Sequence, residues 1–338
     1  MKKQNVANIS RRSFFKVTAG LAAASGITAL PKNVHAAAPG SFATLIDLSL
    51  CDGCPDRGMP ACVSACKAIN KDKIPPISDP IPKPWPRDKM IEDWSKKKDV
   101  FNRLTPYNYI YVQKAEVDIN GQKETIHIPR RCMHCDNPAC ATICPFSANH
   151  KMKNSAVVID QDLCFGGAKC RTVCPWGIPQ RQSGVGIYLH VLPDYMGNGV
   201  MYKCDLCHER LEAGRLPGCV EACPRKALLI GPREEIYALA EERVKQMNGF
   251  IYGKTENGGT ATLYVSPVSF DLIDQSLKKK PGEPDMKVRI ERRMAKSDNR
   301  GRAVLAAPVI GMAAGAVGAL KWLSDRKEKT AGGDSDNG

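Results

Sequence analysis

Aromatic residues are scarce in this sequence. They make up 6% of the 338 residues, so the apolar core is expected to be modest and other bonds must help to hold the fold. Common catalytic signatures are also absent: the sequence has no G-x-G-x-x-G fingerprint, no phosphate-binding P-loop and no convincing Ser/His/Asp or Cys/His constellation. The chain therefore offers no substrate site of its own, and we predict no catalytic residues.

Cysteine is abundant instead, with 15 residues that fall into four groups and leave none over. An odd total and gaps of two or three residues argue against a disulfide framework and favour metal ligation. The groups are Cys51, Cys54, Cys62 and Cys66; Cys132, Cys135, Cys140 and Cys144; Cys164, Cys170 and Cys174; and Cys204, Cys207, Cys219 and Cys223.

The third group lies in the stretch CFGGAKCRTVCP, residues 164–175. The bacterial iron–sulfur run is C-x2-C-x2-C-x3-C-P, and its last cysteine ligates a neighbouring cluster. When the stretch is aligned with that run, the second cysteine is missing and Gly167 occupies its position. Proline follows Cys144, Cys174 and Cys223, where it turns the chain away without an amide hydrogen to satisfy. Three C-x3-C-P units favour iron–sulfur clusters over zinc, because zinc ribbons need neither the proline nor this asymmetry.

Cross-ligation between the groups predicts four sites. The second and third groups form an inner two-cluster unit, and the first and fourth groups form an outer one. The first three sites are predicted to hold [4Fe–4S] clusters, and the fourth, with its vacancy at Gly167, a [3Fe–4S] cluster. The ligands are Cys51, Cys54, Cys62 and Cys223 at the first site; Cys66, Cys204, Cys207 and Cys219 at the second; Cys132, Cys135, Cys140 and Cys174 at the third; and Cys144, Cys164 and Cys170 at the fourth.

Several alternatives stay open at this point. The first group has seven residues before its third cysteine and lacks the terminal proline. The CDLCH stretch, residues 204–208, matches a covalent haem pattern, although haem there would leave Cys66 and Cys219 unused. A structural zinc scaffold is one rival class, and a catalytic cluster that uses the open position of the fourth site as a Lewis acid is another. His134 is expected to lie near a cluster without binding it.

The charge balance does not indicate nucleic-acid binding. The chain has 49 Lys and Arg against 35 Asp and Glu, a formal net charge of +14. Residues 1–36 hold six of the basic residues and no acid, so their removal leaves about +8, and four thiolate-ligated clusters add about −8. The mature protein is then close to neutral.

The N-terminal segment resembles a bacterial twin-arginine signal peptide. Arg11 and Arg12 precede an apolar stretch, and the small-residue sequence VHA follows at 34–36. That export route carries proteins that are already folded, so clusters can be inserted before the thiols meet an oxidising compartment.

Hydrophobic patterning predicts the remaining elements. A hairpin is expected to turn at Asn120-Gly121, a helix over 232–247 and a strand within 258–270. Residues 303–320 contain no charge and span about 27 Å as a helix, which predicts a membrane-spanning segment rather than an amphipathic or disordered tail.

The fold class predicted from these signals is α+β. It comprises two pseudo-symmetric bacterial-type two-cluster ferredoxin units, an insertion hairpin and a C-terminal transmembrane helix. The predicted divisions are a signal peptide at 1–36, a four-cluster domain at 37–231 with an insertion at 67–131, a helix and strand packing on it at 232–278, a linker at 279–302, the transmembrane helix at 303–320 and a tail at 321–338.

Residues 41–275 resemble the four-cluster ferredoxin subunits of bacterial respiratory oxidoreductases, especially the exported, tail-anchored type found with hydrogenase-2 and the high-molecular-weight cytochrome complex. Besides the cysteines, KCDLCHERLEAGRLPGCVEACPRKAL and GGTATLYVSPVSF carry the resemblance. It implies electron transfer between a hydrogenase, molybdoenzyme or multihaem cytochrome subunit and a polytopic membrane subunit that reacts with quinone. It also implies a periplasmic location at the bacterial inner membrane, and a three-iron cluster at the fourth site, on the membrane side.

Overall fold

A computed structural model describes residues 41–85, 91–119, 121–194, 196–278 and 280–295. The predicted signal peptide, the predicted spanning segment at 303–320 and the tail lie outside these ranges. Within them, no helix has both the length and the apolar character needed to cross a bilayer.

The described residues contain both strands and helices, in agreement with the predicted α+β class. The strands are β1 (Phe42–Asp47), β2 (Tyr111–Ile119), β3 (Gln122–Arg130), β4 (Asn149–Lys151), β5 (Val157–Ile159), β6 (Gln180–Gln182), β7 (Val200–Tyr202), β8 (Leu228–Pro232), β9 (Phe250–Tyr252) and β10 (Thr262–Ser266). The α-helices are α1 (Ala61–Ile69), α2 (Ala139–Thr142), α3 (Lys169–Val173), α4 (Tyr188–Val191), α5 (His208–Glu212), α6 (Gly218–Glu221), α7 (Arg233–Met247) and α8 (Phe270–Ser276). Two short 3-10 helices cover Ser95–Lys97 and Glu256–Gly258.

One four-stranded sheet joins the two ends of the described chain, in the order β8-β1-β10-β9. Strand β1 runs parallel to β10 and antiparallel to β8. Because side chains alternate along a strand, Ala43 and Leu45 pack on one face of the sheet, while Ile46 belongs to the main core on the other.

Helix α7 covers the first of these faces, where Ile236 and Ala240 pack against the sheet. It begins after Pro232, and two glutamates in its first turn complement the positive end of the helix dipole. It ends at Asn248, whose φ of 48° is the left-handed conformation that terminates many helices. The predicted helix over 232–247 therefore lies where the pattern placed it.

The predicted hairpin is formed by β2 and β3. Ile119 pairs with Gln122, which leaves two residues for the turn, and Gly121 has a φ of +81°. Ala115 and Val117 are buried on one face of β2, which packs against α1 and α8. The hairpin is thereby attached to the core and does not project as a free arm.

Two helix pairs position the cysteine groups. Helix α1 packs on α6 in the outer part of the chain, and α2 packs on α3 in the inner part. The two helices of each pair belong to different cysteine groups. Each helix contains the last cysteine of its group or ends shortly before it. The packing therefore brings distant stretches of sequence to the same place.

Much of the described part of the predicted linker is packed on the domain. Met286 is fully buried, and the carbonyl of Gly282 accepts a hydrogen bond of 2.8 Å from the Leu104 amide. Glu283 forms an ion pair of 2.9 Å with Arg103. The Pro, Gly and charged residues of this stretch thus indicate a loss of regular structure but not a loss of packing.

Candidate metal centres

The four cysteine loops share one backbone turn. In each, the residue two after the first cysteine has a positive φ: 74° at Gly53, 48° at His134, 70° at Gly166 and 61° at Leu206. For His134 and Leu206 this conformation costs about 1 kcal/mol or more, a strain typical of functional sites. The next position holds the second cysteine in three loops and Gly167 in the other.

This turn directs amides toward sulfur. The Leu206 amide donates to Cys204 Sγ at 3.4 Å, and the amides of Gly53 and Gly166 donate to the first cysteines of their own loops. Hydrogen bonds to ligand sulfurs are one of the means by which proteins set cluster potentials. The repeated turn therefore has a direct chemical purpose.

The thiols of each predicted site lie together in the structure. At the first site, Cys62 is within electrostatic range of the other three thiols of that site. At the second, Cys66 is within range of its three predicted partners. At the third, Cys135 is likewise within range of its three. At the fourth, Cys164 interacts with Cys144 and with Cys170.

Electrostatic interactions between thiols of neighbouring sites link the sites in the order first, second, third and fourth. Cys62 of the first site interacts electrostatically with Cys219 of the second. Cys204 of the second interacts with Cys132 of the third, and Cys170 of the fourth interacts with Cys140 of the third. The four groups of thiols therefore form a row through the main core.

The residues present fit iron–sulfur clusters. The four thiols of the second site line one shared pocket, together with Asn70 and Arg131. Amide side chains also reach ligand sulfurs: Asn70 donates to Cys66 at 3.5 Å and Asn257 to Cys135 at 3.4 Å. Thiolates, hydrogen-bond donors to sulfur and burial are the features with which proteins hold such clusters.

The burial of these thiols alters their acidity. Burial raises the pKa of Cys51, Cys174 and Cys207 to about 12, and neighbouring cysteines at each site add to the shift. Burial likewise raises the pKa of Cys219 to about 11. Without metal, these four thiols are therefore protonated at neutral pH, and loading a site displaces their protons because the thiolate is the ligand.

At the fourth site, the Phe165 ring lies over Gly167. A Cβ atom added at Gly167 would lie 2.7 Å from the tip of that ring. Phe165 also packs edge to face on Phe146, with ring centroids 4.8 Å apart, and near Tyr188. The Phe165 ring therefore covers the position at which the other loops carry a second cysteine.

The covalent-haem alternative is not supported by the surroundings of residues 204–208. Cys204 and Cys207 share their cavity with Cys66 and Cys219, while His208 lies in α5 with its Nδ1 3.9 Å from a Glu212 oxygen. In the part of the chain that the structure describes, no three His, Cys, Asp or Glu side chains converge to hold a single metal ion.

Two family models match the chain, and both are described as a 4Fe-4S dicluster domain. They cover residues 50–148 and 123–233. Hydrogenase-2 operon protein HybA of Escherichia coli O157:H7 is 32% identical over 308 residues, which is 79% of this chain and 83% of the relative. The chain belongs to the family of ferredoxin-like iron–sulfur subunits of bacterial oxidoreductases.

Other relatives agree with this membership. The probable anaerobic dimethyl sulfoxide reductase chain YnfG of Escherichia coli K12 is 32% identical over 58% of this chain and 75% of its own length. A sulfite dehydrogenase subunit of Allochromatium vinosum is 32% identical over 60% of this chain and 75% of its own length. Proteins of this family carry [4Fe–4S] clusters and transfer electrons, and this chain is an electron-transfer protein and not a catalytic subunit. The zinc scaffold and the catalytic open-site cluster are therefore not favoured.

Sequence reasoning missed several polar residues that contact the ligands. Arg131 and Lys203 are buried beside Cys204, and Asn70 and Asn257 donate to cysteine sulfurs. Arg131 and Lys203 directly precede cysteines, but Asn257 lies 122 residues from the sulfur that it contacts. The sequence could have indicated Arg131 and Lys203, because each lies next to a predicted ligand, but it gave no such indication for Asn257.

Proposed function

We propose that this chain relays single electrons between a hydrogenase, molybdoenzyme or multihaem cytochrome subunit and a polytopic membrane subunit that reacts with quinone. The row of four thiol sites carries this proposal, because it offers a continuous path through the core. Iron–sulfur clusters supply one-electron chemistry when they are bound. The residues of this chain hold the sites in sequence, exclude water by burial and direct amide hydrogens at sulfur.

The proposed content is three [4Fe–4S] clusters at the first, second and third sites and one [3Fe–4S] cluster at the fourth. The support is the distribution of thiols: three sites gather four, and the fourth gathers three around Gly167. The shared turn supports it further, since Gly167 follows Gly166 where the other loops place a second cysteine.

The proposed location is the periplasmic side of the bacterial inner membrane, reached by the twin-arginine route, with the segment at 303–320 as a C-terminal anchor. This part of the proposal rests on the sequence signals alone. The catalytic partner is proposed from the names of the relatives, which refer to a hydrogenase-2 operon, a dimethyl sulfoxide reductase and a sulfite dehydrogenase.

Chemical analysis of the full chain, purified without oxygen, tests the cluster content. We expect about 15 iron and about 16 acid-labile sulfide per chain. Reduction should bleach the visible absorbance in one-electron steps, and the oxidised protein should show the paramagnetic resonance signal of a three-iron centre. Zinc without sulfide would overturn the proposal, and an oxidised protein with no such signal would overturn the assignment of the fourth site.

An exposed apolar patch beside the fourth site is the proposed contact with the membrane subunit. Its side chains are 46–66% exposed. Tyr188 connects the patch to the site, because its hydroxyl donates to the Leu163 carbonyl at 3.3 Å and its ring lies 6.1 Å from that of Phe146. Exposed apolar clusters of this kind mark interaction surfaces. The patch consists of Phe146, Leu163, Ile187, Val191 and Leu192.

A Val191→Asp variant tests this contact. Val191 is 66% exposed, so the change should leave folding and all cluster signals intact while placing an unpaired charge in an apolar interface. We expect the variant to lose at least tenfold in its retention by the detergent-extracted membrane subunit. Phe250→Asp is the matched control, because Phe250 is 45% exposed on β9 and outside the patch. Equal retention of both variants would contradict the proposed surface.

A further inference from the structure

Three nitrogen donors converge on the sulfur of Cys204 at the second site. Nη1 of Arg131 lies 3.6 Å from Cys204 Sγ, Nε2 of His134 lies 3.5 Å away and the Leu206 amide nitrogen 3.4 Å away. Cys204 also interacts electrostatically with Cys132 of the third site. The donors therefore stand at the junction between two sites.

Arg131 is buried there, and no carboxylate among the residues that the structure describes pairs with it. Its side chain is 2% exposed, and Nη2 donates to the hydroxyl of Thr44. A buried cation needs a compensating negative charge. With a cluster bound, the thiolates of the second site would supply it.

Lys203 is a second buried cation at this junction. Its ammonium donates to the Val157 carbonyl and, at 3.2 Å, to that of Cys204. It lies within electrostatic range of Cys132 and Cys140 of the third site as well as of Cys204. Its charge therefore acts on both sites.

His134 completes the group as a neutral donor. The Val157 amide donates to its Nδ1 at 2.9 Å, so the ring proton is on Nε2, which faces Cys204. Because Nδ1 accepts this hydrogen bond, it carries no proton of its own. The ring stays neutral and acts through one N–H group directed at sulfur.

We propose that Arg131, supported by Lys203 and His134, sets the reduction potential of the second site and keeps it above the value that the thiolates alone would give. A positive charge held near the ligand sulfurs stabilises the added electron, and in a buried setting this interaction is weakly screened. Arg131 acts as a positioning charge and is not a ligand. The inference rests on the proposed cluster at the second site.

Redox titration of Arg131→Met, followed by paramagnetic resonance on the anaerobic full chain, tests the inference. We expect at least a tenfold shift of the equilibrium at the second site toward the oxidised form, about 59 mV for one electron. Arg131→Lys should recover part of the shift because it keeps the charge. The second-site signal is assigned by its loss in Cys207→Ser.

Arg130→Met is the matched control. Arg130 is equally buried, but its guanidinium donates to the Asp285 carbonyl at 2.5 Å and stacks on Tyr264. This variant should keep the wild-type potential. If both variants shift the potential equally, or if neither does, the inference is overturned.

Two further outcomes separate this inference from the proposed function. If Arg131→Met does not retain the cluster, Lys203→Met is measured instead. It should lower the reduction potentials of the second and third sites by a smaller amount. Unchanged potentials at both sites would overturn the inference. If the wild-type chain lacks a signal that disappears in Cys207→Ser, the proposed cluster assignment fails instead.

Discussion

A Gly167→Cys variant is expected to lose the three-iron signal of the oxidised protein completely and to gain a fourth [4Fe–4S] centre. The added thiol would complete the fourth site beside Cys144, Cys164 and Cys170. Since Gly166 already adopts the turn that precedes the second cysteine in the other loops, the new side chain follows a backbone of the correct shape.

The position can accept this side chain. The backbone of Gly167 is outside the left-handed region, and the obstructing atom is the tip of the Phe165 ring, 2.7 Å from the new Cβ. A ring tip can move by rotation about its side-chain bonds, whereas backbone could not. We therefore expect the variant to fold, with some rearrangement of the aromatic rings.

Paramagnetic resonance of the oxidised and reduced proteins measures the change. Gly167→Ala is the control, because it adds the same Cβ against Phe165 without a thiol and should keep the three-iron signal at wild-type intensity. Persistence of that signal in Gly167→Cys, with full iron occupancy, would contradict the assignment of the vacancy.

Removal of iron from the wild-type chain is expected to abolish its cooperative unfolding transition. Cysteines from all four groups belong to the buried core or pack against it. Loss of the clusters would therefore leave cavities and protonated thiols between the helices α1, α2, α3 and α6. Metal-binding free energy is folding free energy in such proteins. The second small core, under α7, contains no cysteine but buries only six residues, too few to support a domain.

Circular dichroism and limited proteolysis of the chelated protein measure this effect. We expect the thermal transition to disappear and the chain between residues 41 and 295 to become susceptible to protease. Reconstitution with iron and sulfide should restore both properties. A chelated protein that melts within a few degrees of the loaded one would show that the polypeptide core is sufficient by itself.

The sequence predicted which cysteine thiols lie together in the structure, because cluster ligands follow a close and recognisable spacing along the chain. It also predicted α7 and the β2–β3 hairpin, whose signals are local. The convergence of Arg131, Lys203 and His134 on Cys204 could not be predicted, since it depends on how β5, two cysteine loops and Thr44 pack in three dimensions.

The packed course of residues 280–293 was missed for a related reason. Met286 is fully buried, yet a single methionine among charged residues carries no periodic signal. The apolar patch at α4 was also missed, because exposed and buried apolar side chains are alike in sequence. In each case tertiary packing decided the outcome.

The topology of the four-stranded sheet also constrains the order in which the chain can mature during its synthesis. Strand β1 is among the first described residues to emerge, but its partners β8 and β10 follow about 180 and 220 residues later. Cys51 likewise waits for Cys223, whereas the predicted ligands of the third and fourth sites all lie within 132–174. The inner unit can close while the ribosome is still translating, whereas the outer unit can close only after Cys223 has been made and the sheet only after β10 has been made.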